Sequence, residues 1–195
     1  RASRLVQQIL TFTHQQELSR ITLSLSQIVN EVLTLLRATL PAGIELTTTY
    51  DAATPPVLAD ATQVHQVLMN LCTNAWHALK EQPGSIAVDL APVMLTHPLH
   101  SLHAILPPGR YARLSVRDTG CGMEPETVER IFDPFFTTKP VGQGTGLGLS
   151  VVHGIVRGHE GAIVVDSRPS RGTTVHLYFP AIEAPAQARE SAGPT

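Results

Sequence analysis

Apolar residues recur every three or four positions in several stretches of the chain, the spacing of one face of an α-helix. This spacing predicts helices over 1–20, 24–39, 61–80 and 146–157, and a short helix near 125–131. The stripe over 1–20 packs either on a partner helix or on its own domain. The buried face of the second helix is predicted to contain Ile28, Val32, Leu35 and Leu36.

The helix over 61–80 has a predicted start and two predicted faces. Asp60 precedes it as a cap, and Gln63 completes a capping-box pattern. One face is apolar and is predicted to be core; it comprises Val64, Val67, Leu68, Leu71, Ala75 and Leu79. The opposite row is polar and comprises Gln66, Asn70, Asn74 and His77. This helix therefore joins the core to a polar surface.

Alternating and β-branched residues indicate strands, which are predicted over 44–49, 85–90, 110–118, 162–166 and 173–179. The Pro- and His-rich stretch 92–109 is interpreted as a long hairpin connection, and 133–146 as a Gly-rich loop. Most strands follow one another without a crossover helix. The expected fold is therefore an α/β (α+β) two-layer sandwich, with helices on one face of one sheet, rather than a doubly wound nucleotide fold.

Composition restricts the possible classes of protein. The 195 residues suit one domain with an appendage, and 43% hydrophobic content suffices for a core. A net charge of −2 argues against nucleic-acid binding through a basic surface. Two cysteines favour a reduced, cytoplasmic setting. The chain begins with Arg1 inside a helical pattern, so we expect a piece of a longer protein, whose missing part could hold a membrane anchor.

Asn70 and Asn74 are four residues apart and therefore share one helix face. Asn is a poor helix former, so two stacked amides suggest a specific role. Amide oxygens are suitable ligands for a hard cation such as Mg²⁺. The alternative is an ordinary solvated face.

The segment Asp118-Thr119-Gly120-Cys121-Gly122 follows a strand. A carboxylate at a strand end can accept a hydrogen bond from an exocyclic amine, and the glycines permit a tight turn and close approach of a flat ring. The alternative is a simple Asp-Gly turn.

A Gly-rich turn, Gly144–Ser150, leads into the last helix. Backbone N–H groups at such a helix start point at an anion, most naturally phosphate. Lys139 lies just upstream and could add a positive charge. The turn matches neither a P-loop nor a dinucleotide-binding fingerprint. With the other two motifs, it predicts a site for a nucleoside triphosphate with magnesium.

At this point the chain resembles the sensor histidine kinases of two-component systems. Five ordered segments carry the resemblance, which covers about 21–180: Asn70–Ala75 (N box), Asp118–Gly122 (G1 box), Ile131–Phe136 (F box), Gly144–Leu149 (G2 box) and Gly172–Thr174. Residues 1–20 resemble the second helix of that family's dimerisation and phosphotransfer hairpin, and 181–195 resemble a linker or tail. The resemblance implies a Bergerat-type ATP-binding fold, with a mixed sheet packed on helices.

The resemblance also implies the roles of individual residues. Asn70 and Asn74 would bind Mg²⁺, and Asp118 would hold the adenine amino group. Gly120, Gly122 and Thr173 would line the adenine pocket. Phosphate contacts would come from His77, Lys139, Gly144, Gly146, Leu147, Gly148 and Leu149, with Asn70 and Lys139 in catalytic roles. Phe132, Phe135 and Phe136 would anchor the lid that carries Lys139.

The implied activity is transfer of the ATP γ-phosphate to a histidine on an upstream helix, for relay to a response regulator or receiver domain. None of the nine histidines lies in the family's acceptor motif, so we expect no autophosphorylation of this chain. The N-terminal helix is compatible with a homodimer of the full-length protein. His77 stands where many members have Lys or Arg, which leaves open a nucleotide-binding switch without transfer. A gyrase-like ATPase is disfavoured, because the amide of Asn70 cannot act as a general base.

Overall fold

The structure is a computed structural model that describes residues 19–80, 82–103, 105–139 and 144–182. The helices are α1 (Leu25–Thr39), α2 (Ala61–Ala78), α3 (Pro125–Arg130) and α4 (Gly148–Gly158). The strands are β1 (Ile21–Leu23), β2 (Ile44–Tyr50), β3 (Val57–Ala59), β4 (Gly84–Leu95), β5 (Leu99–His100), β6 (Ile105–Leu106), β7 (Gly109–Asp118), β8 (Ala162–Ser167) and β9 (Thr173–Pro180). The helix predicted over 1–20 lies outside the described residues except for 19 and 20, which are not helical. The tail predicted at 181–195 lies outside them from 183 onward.

The main sheet has the strand order β2-β4-β7-β9-β8. β2 and β4 are parallel, and the other neighbours are antiparallel, so the sheet is mixed. Side chains from α1, α2 and α4 pack on one face and form the main core with the inward side chains of the sheet. The predicted two-layer α+β sandwich is confirmed. No helix in the described ranges is long and apolar enough to cross a membrane.

The buried stripe of α1 differs from the prediction at one position. Ile28, Val32 and Leu36 are buried, but Leu35 is 54% exposed. Successive helical residues are about 100° apart. A stripe that also includes Val29 therefore leaves position 35 at the edge. In α2, by contrast, every residue of the predicted apolar face is buried.

The connection predicted over 92–109 is more regular than expected. The β4–β7 ladder continues to the pair Leu95–Gly109, and β5 and β6 form a small hairpin beyond it. Pro92 is accommodated within β4 because β2 ends opposite Leu90, which makes the rest of β4 an edge strand. A proline there removes no ladder hydrogen bond, so the strand does not have to end.

The β5–β6 hairpin crosses one end of the sheet on the face opposite the helices. Leu99 and Leu106 pack with Tyr111 and Tyr178, which alternate with the core residues of β7 and β9. At the hairpin tip, His103 Nε2–H donates to the backbone carbonyl of Val128 in α3, at 2.9 Å. The hairpin thereby links the uncovered sheet face to α3.

Only half of the capping box predicted for α2 is present. The Asp60 carboxylate accepts from the backbone N–H of Gln63 at 3.1 Å. The reciprocal bond comes from another helix, because the Asp60 N–H donates to Nε2 of His159 at 3.0 Å. His159 is 3% exposed, and its Nδ1–H donates to the carbonyl of Ile155 at 2.8 Å. A buried imidazole therefore joins the end of α4 to the start of α2.

Candidate functional site

The two amides of α2 face the start of α4. Asn70 and Asn74 are half-buried on the side of α2 away from its core stripe. A Cβ built on Gly148 would lie 3.8 Å from Oδ1 of Asn70 and 3.9 Å from Nδ2 of Asn74. The structure therefore brings together the amide pair and the Gly-rich turn, which are about 70 residues apart in sequence. Since Gly148 has no side chain, the space between them stays open.

Lys139 extends into the same place. Its ammonium donates to Nδ1 of His77 at 3.0 Å and to Oδ1 of Asn74 at 3.4 Å. Burial lowers the pKa of Lys139. The pKa of His77 is lowered first by burial and then by the Lys139 charge. His77 is therefore a neutral acceptor that helps to hold the lysine, and direct contact between His77 and phosphate stays a prediction.

The Gly-rich turn packs against the chain segment that carries Lys139. The N–H of Phe135 donates to the carbonyl of Gly146 at 2.9 Å. Gly146 has a φ of +67°, and a Cβ there would lie 2.6 Å from the Phe135 carbonyl oxygen, so only glycine suits this turn. A Cβ on Gly144 would lie 3.1 Å from Cδ of Lys139. The backbone bond holds the turn against Phe135, and the absence of a side chain at Gly144 leaves room for Lys139.

The start of α4 presents unpaired backbone donors. Helix α4 begins at Gly148, two residues later than predicted, with Leu147 as its N-cap and no side-chain cap. The N–H groups of Gly148, Leu149 and Ser150 make no hydrogen bond to any other described residue. The N–H of Leu147 makes a long bond, 3.4 Å, to Oγ1 of Thr145. Because the peptide dipoles also place positive charge at this end, the turn can bind an anion.

Asp118 is a buried carboxylate at the end of β7. It is 6% exposed, and its Oδ1 accepts from the N–H of Gly120 at 2.8 Å. Burial raises its pKa, and hydrogen bonds from the N–H groups of Gly120 and Thr173 partly oppose that shift. Thr173 stands opposite Asp118 in the β7–β9 ladder, and its hydroxyl bonds to that of Ser167 at 2.9 Å. A buried carboxylate held in this way can accept a hydrogen bond from an amine.

The glycines after Asp118 permit close approach of other chain segments. A Cβ on Gly120 would lie 2.6 Å from the carbonyl oxygen of Ala78, which accepts the N–H of Cys121 at 3.0 Å. Gly122 has a φ of +64°, and a Cβ there would overlap the carbonyl oxygen of Arg168. Ala78 follows Asn74 by one helical turn, about 6 Å along the axis. Helix α2 therefore joins the Asp118 turn to the amide pair.

The donor set suits a hard cation bound together with an anion. Mg²⁺ prefers oxygen ligands and commonly keeps waters and phosphate oxygens in its octahedral shell. The amide oxygens of Asn70 and Asn74 could supply protein ligands, but no carboxylate contacts them among the described residues. Since Lys139 donates to Asn74 Oδ1, a cation on that oxygen would require the ammonium to move away. These residues fit a metal held mainly by a polyphosphate.

The three phenylalanines of the F box do not act alike. Phe132 packs against the main core. Phe136 is half-buried, with the guanidinium of Arg130 4.5 Å from its ring centre. Phe135 is 69% exposed at a φ of +67°, so the expectation that it anchors the segment to the core is wrong. Its backbone, rather than its ring, holds the Gly-rich turn.

Sequence reasoning missed the two histidine rings on Phe132. His103 meets it edge-on, with ring centres 4.8 Å apart, and His153 stacks on it at 4.9 Å. The three residues are far apart in sequence, and no local pattern connects them. Only the tertiary structure could have identified this contact.

Comparison with known proteins places the chain in a family. A profile of the histidine kinase-, DNA gyrase B- and HSP90-like ATPases matches residues 59–183. The sensor kinase CckA of Brucella abortus (strain 2308) is 36% identical over 197 residues, which cover 97% of this chain and 21% of that protein. Three of the curated relatives are matched over only 21–25% of their own length.

Solved structures agree with this assignment. The catalytic domain of histidine kinase ThkA is 31% identical, with a TM-score of 0.66 over 85% of this chain and 97% of that one. Histidine kinase ThkA in complex with the response regulator protein TrrA is 27% identical, with a TM-score of 0.69 over 93% of this chain and 48% of that one. The described site contains the buried carboxylate, the amide pair and the Gly-rich helix start. The chain that carries it belongs to the histidine kinase-, DNA gyrase B- and HSP90-like ATPases and is a histidine kinase catalytic domain.

Proposed function

We propose that this domain binds ATP with Mg²⁺ and transfers the γ-phosphate to a histidine on an upstream helix of its parent sensor kinase. The observation that carries the proposal is the convergence of Lys139, Asn74 and Gly148, one turn of α2 away from the loop that follows buried Asp118. This arrangement provides a carboxylate for base recognition next to an anion site formed by one lysine ammonium and the N–H groups at the start of α4. A nucleoside triphosphate requires both.

Asp118 would select the base. Its buried carboxylate accepts a hydrogen bond from the exocyclic amine of adenine, which guanine lacks at the equivalent ring position. Gly120 and Gly122 let the following turn pack closely against Ala78 and Arg168, and Thr173 holds the carboxylate through its N–H. ATP is therefore expected to bind more tightly than GTP.

The start of α4 and Lys139 would bind the phosphates. The unpaired N–H groups of Gly148 and Leu149 are available at the start of the helix, and the N–H of Leu147, which makes only a long bond to Thr145, adds a third donor. Lys139 leaves Asn74 and His77 and pairs with the phosphates, where its charge stabilises the charge that develops during transfer. Gly144 and Gly146 keep the turn in position for these contacts.

Asn70 and Asn74 would hold Mg²⁺ together with phosphate oxygens and water. When bound, the ion neutralises phosphate charge. The protein contributes neutral amide oxygens on a rigid helix, so the charge of the nucleotide itself is needed for tight metal binding. We therefore expect weak Mg²⁺ binding in the absence of ATP.

The acceptor would be an imidazole rather than water. The bond between the γ-phosphorus and the bridging oxygen breaks, ADP leaves with that oxygen, and a new bond forms to an imidazole nitrogen in line with it. Asn70 cannot remove a proton from water, which disfavours hydrolysis. A response regulator would then take the phosphoryl group, as the complex of ThkA with TrrA suggests. We expect this to occur in the cytoplasm.

Calorimetric titration tests the nucleotide part of this proposal. We expect ATP to bind more tightly with Mg²⁺ than without it, and more tightly than GTP. Absence of ATP binding would contradict the proposal.

A longer form of the protein that includes the upstream helix tests transfer. Acid-labile phosphohistidine would support a kinase. Binding without phosphohistidine would favour a nucleotide switch, for which the neutral His77 is the supporting feature. Steady release of inorganic phosphate without phosphohistidine would favour an ATPase.

A further inference from the structure

Phe132 is held between two histidine rings that come from different parts of the chain. His153 belongs to α4 and stacks on Phe132 at an interplanar angle of 21°. His103 belongs to the tip of the β5–β6 hairpin and meets the ring at 88°. Edge-to-face and offset-stacked pairs are both favourable aromatic geometries. The position of Phe132 therefore depends on the hairpin as well as on α4.

His103 is itself fixed by a hydrogen bond. Its Nε2–H donates to the carbonyl of Val128 in α3 at 2.9 Å, which sets the plane of the imidazole. The hairpin is anchored at its other end by Leu99 and Leu106 on the uncovered face of the sheet. His103 is thus the contact through which the hairpin reaches α3 and Phe132.

A continuous set of backbone bonds leads from this point to the nucleotide site. The N–H of Asp133 donates to the carbonyl of Arg130, and that of Phe136 donates to Asp133. The N–H of Phe135 donates to Gly146 in the Gly-rich turn. Lys139 follows three residues after Phe136. A shift of Phe132 would therefore move both Lys139 and the start of α4.

We propose that His103 is a positioning residue for the nucleotide site: the β5–β6 hairpin uses it to hold Phe132, and through Phe132 the segment that carries Lys139. This inference rests on the proposed ATP-binding function. Among the described residues, the ring of His103 contacts Phe132 and its Nε2–H bonds to Val128 of α3, so it would act through these two contacts. The imidazole of His153 contacts the same ring from α4. Its pKa is lowered by burial first and then by Arg157 and His103.

The test is ATP affinity in a matched set of variants. His103→Ala removes both the ring and the donor. His103→Phe keeps the ring on Phe132, and His103→Gln keeps a donor for Val128. His100→Ala is the control, because it removes an exposed imidazole from the same hairpin.

We expect His103→Ala to raise the Kd for Mg²⁺-ATP roughly threefold to tenfold, the effect of one lost hydrogen bond on the population of the binding-competent form. His103→Phe and His103→Gln should each recover part of the loss, and His100→Ala should leave the Kd unchanged. Unchanged affinity in His103→Ala, with wild type binding ATP normally, would overturn the inference.

Hydrogen exchange without nucleotide separates this inference from the proposed function. In His103→Ala the amide of Phe135 should exchange faster, while amides of the β4–β7 ladder keep their wild-type rates. Equal acceleration throughout the sheet would mean that His103 only stabilises the fold, and it would overturn the inference. If wild type fails to bind ATP, the proposed function fails, and the exchange rate of Phe135 still tests whether His103 positions this segment.

Discussion

The Lys139 ammonium donates to Nδ1 of His77 at 3.0 Å, so a histidine holds the lysine close to the amide pair of α2. Two cations could not share this contact. The lowered pKa of His77, caused by burial and then by Lys139, keeps the imidazole neutral. Lys139 is therefore preorganised next to the place where phosphate is expected, and no acidic residue in the described part of the chain pairs with it and would compete with the phosphate.

Lys139→Met should weaken ATP binding. The variant keeps an unbranched side chain and removes the charge. A hydrogen bond to a charged group contributes about 1.5–3 kcal/mol, so the Kd should rise roughly tenfold or more. Titration calorimetry with Mg²⁺-ATP measures the Kd. Lys80→Met, at an exposed position two residues after the end of α2, is the matched control and should bind like wild type. Equal affinities of the two variants would exclude Lys139 from the phosphate site.

Asp118→Asn should have opposite effects on binding and stability. The amide oxygen can still accept the N–H of Gly120, but the adenine amine loses a charged acceptor, so ATP affinity should fall by about 1.5–3 kcal/mol. The free energy of unfolding should stay the same or increase, because a charge that burial disfavours has been removed. Denaturant unfolding and calorimetry measure the two effects. A variant that loses both stability and affinity would indicate a structural role for the carboxylate instead.

Acidification should weaken ATP binding through Asp118. Burial raises the pKa of this carboxyl, so it becomes protonated at a higher pH than an exposed aspartate and loses its charge as an acceptor. The stability of the fold should change in the opposite direction, because acidification favours the folded state through this carboxyl. A raised pKa contributes stability that is present below the ordinary value of 3.8 and is lost as the pH rises through the folded-state pKa.

The pH dependence of the Kd, compared between wild type and Asp118→Asn, checks this prediction. The comparison removes the titration of the nucleotide phosphates, which is common to both proteins. Parallel curves would show that Asp118 does not contribute to the acid loss of affinity.

Gly148→Ala should reduce ATP affinity without destabilising the domain. An added Cβ would make only ordinary contacts, 3.8 Å from Asn70 and 3.9 Å from Asn74, and alanine favours helix α4 by about 1 kcal/mol over glycine. The same methyl group would occupy space at the helix start that the phosphates need. Thermal unfolding and ATP titration measure the two effects, with Gly154→Ala as the control, because a Cβ there meets open space. An affinity equal to wild type would mean that the phosphates lie elsewhere.

His159→Ala should destabilise the fold. The change removes the acceptor for the half-buried N–H of Asp60 and the donor to Ile155, and a group left without a partner costs about 1–3 kcal/mol when it is fully buried. Denaturant unfolding measures the loss. His65→Ala, a half-buried histidine on α2, should cost less. If both variants were equally stable, the bond between Asp60 and His159 would contribute little.

The motifs and the elements that carry them could be recognised from the amino-acid sequence alone. The periodicity of α2 distinguished its core face from the row with Asn70 and Asn74, because a 3.6-residue repeat is a local property of the chain. Asp118 at a strand end and the glycines before α4 could also be recognised locally. The predicted roles of these residues in binding remain to be tested by the experiments above.

Contacts between segments that are distant in sequence could be found only in the folded structure. No local pattern could place the His159 imidazole on the cap of α2, since residues 60 and 159 meet only when α4 packs beside α2. The same applies to the contact of Lys139 with His77 and to the two rings on Phe132. Periodicity records which face of an element is buried, but the partner on that face is selected by packing of the whole chain.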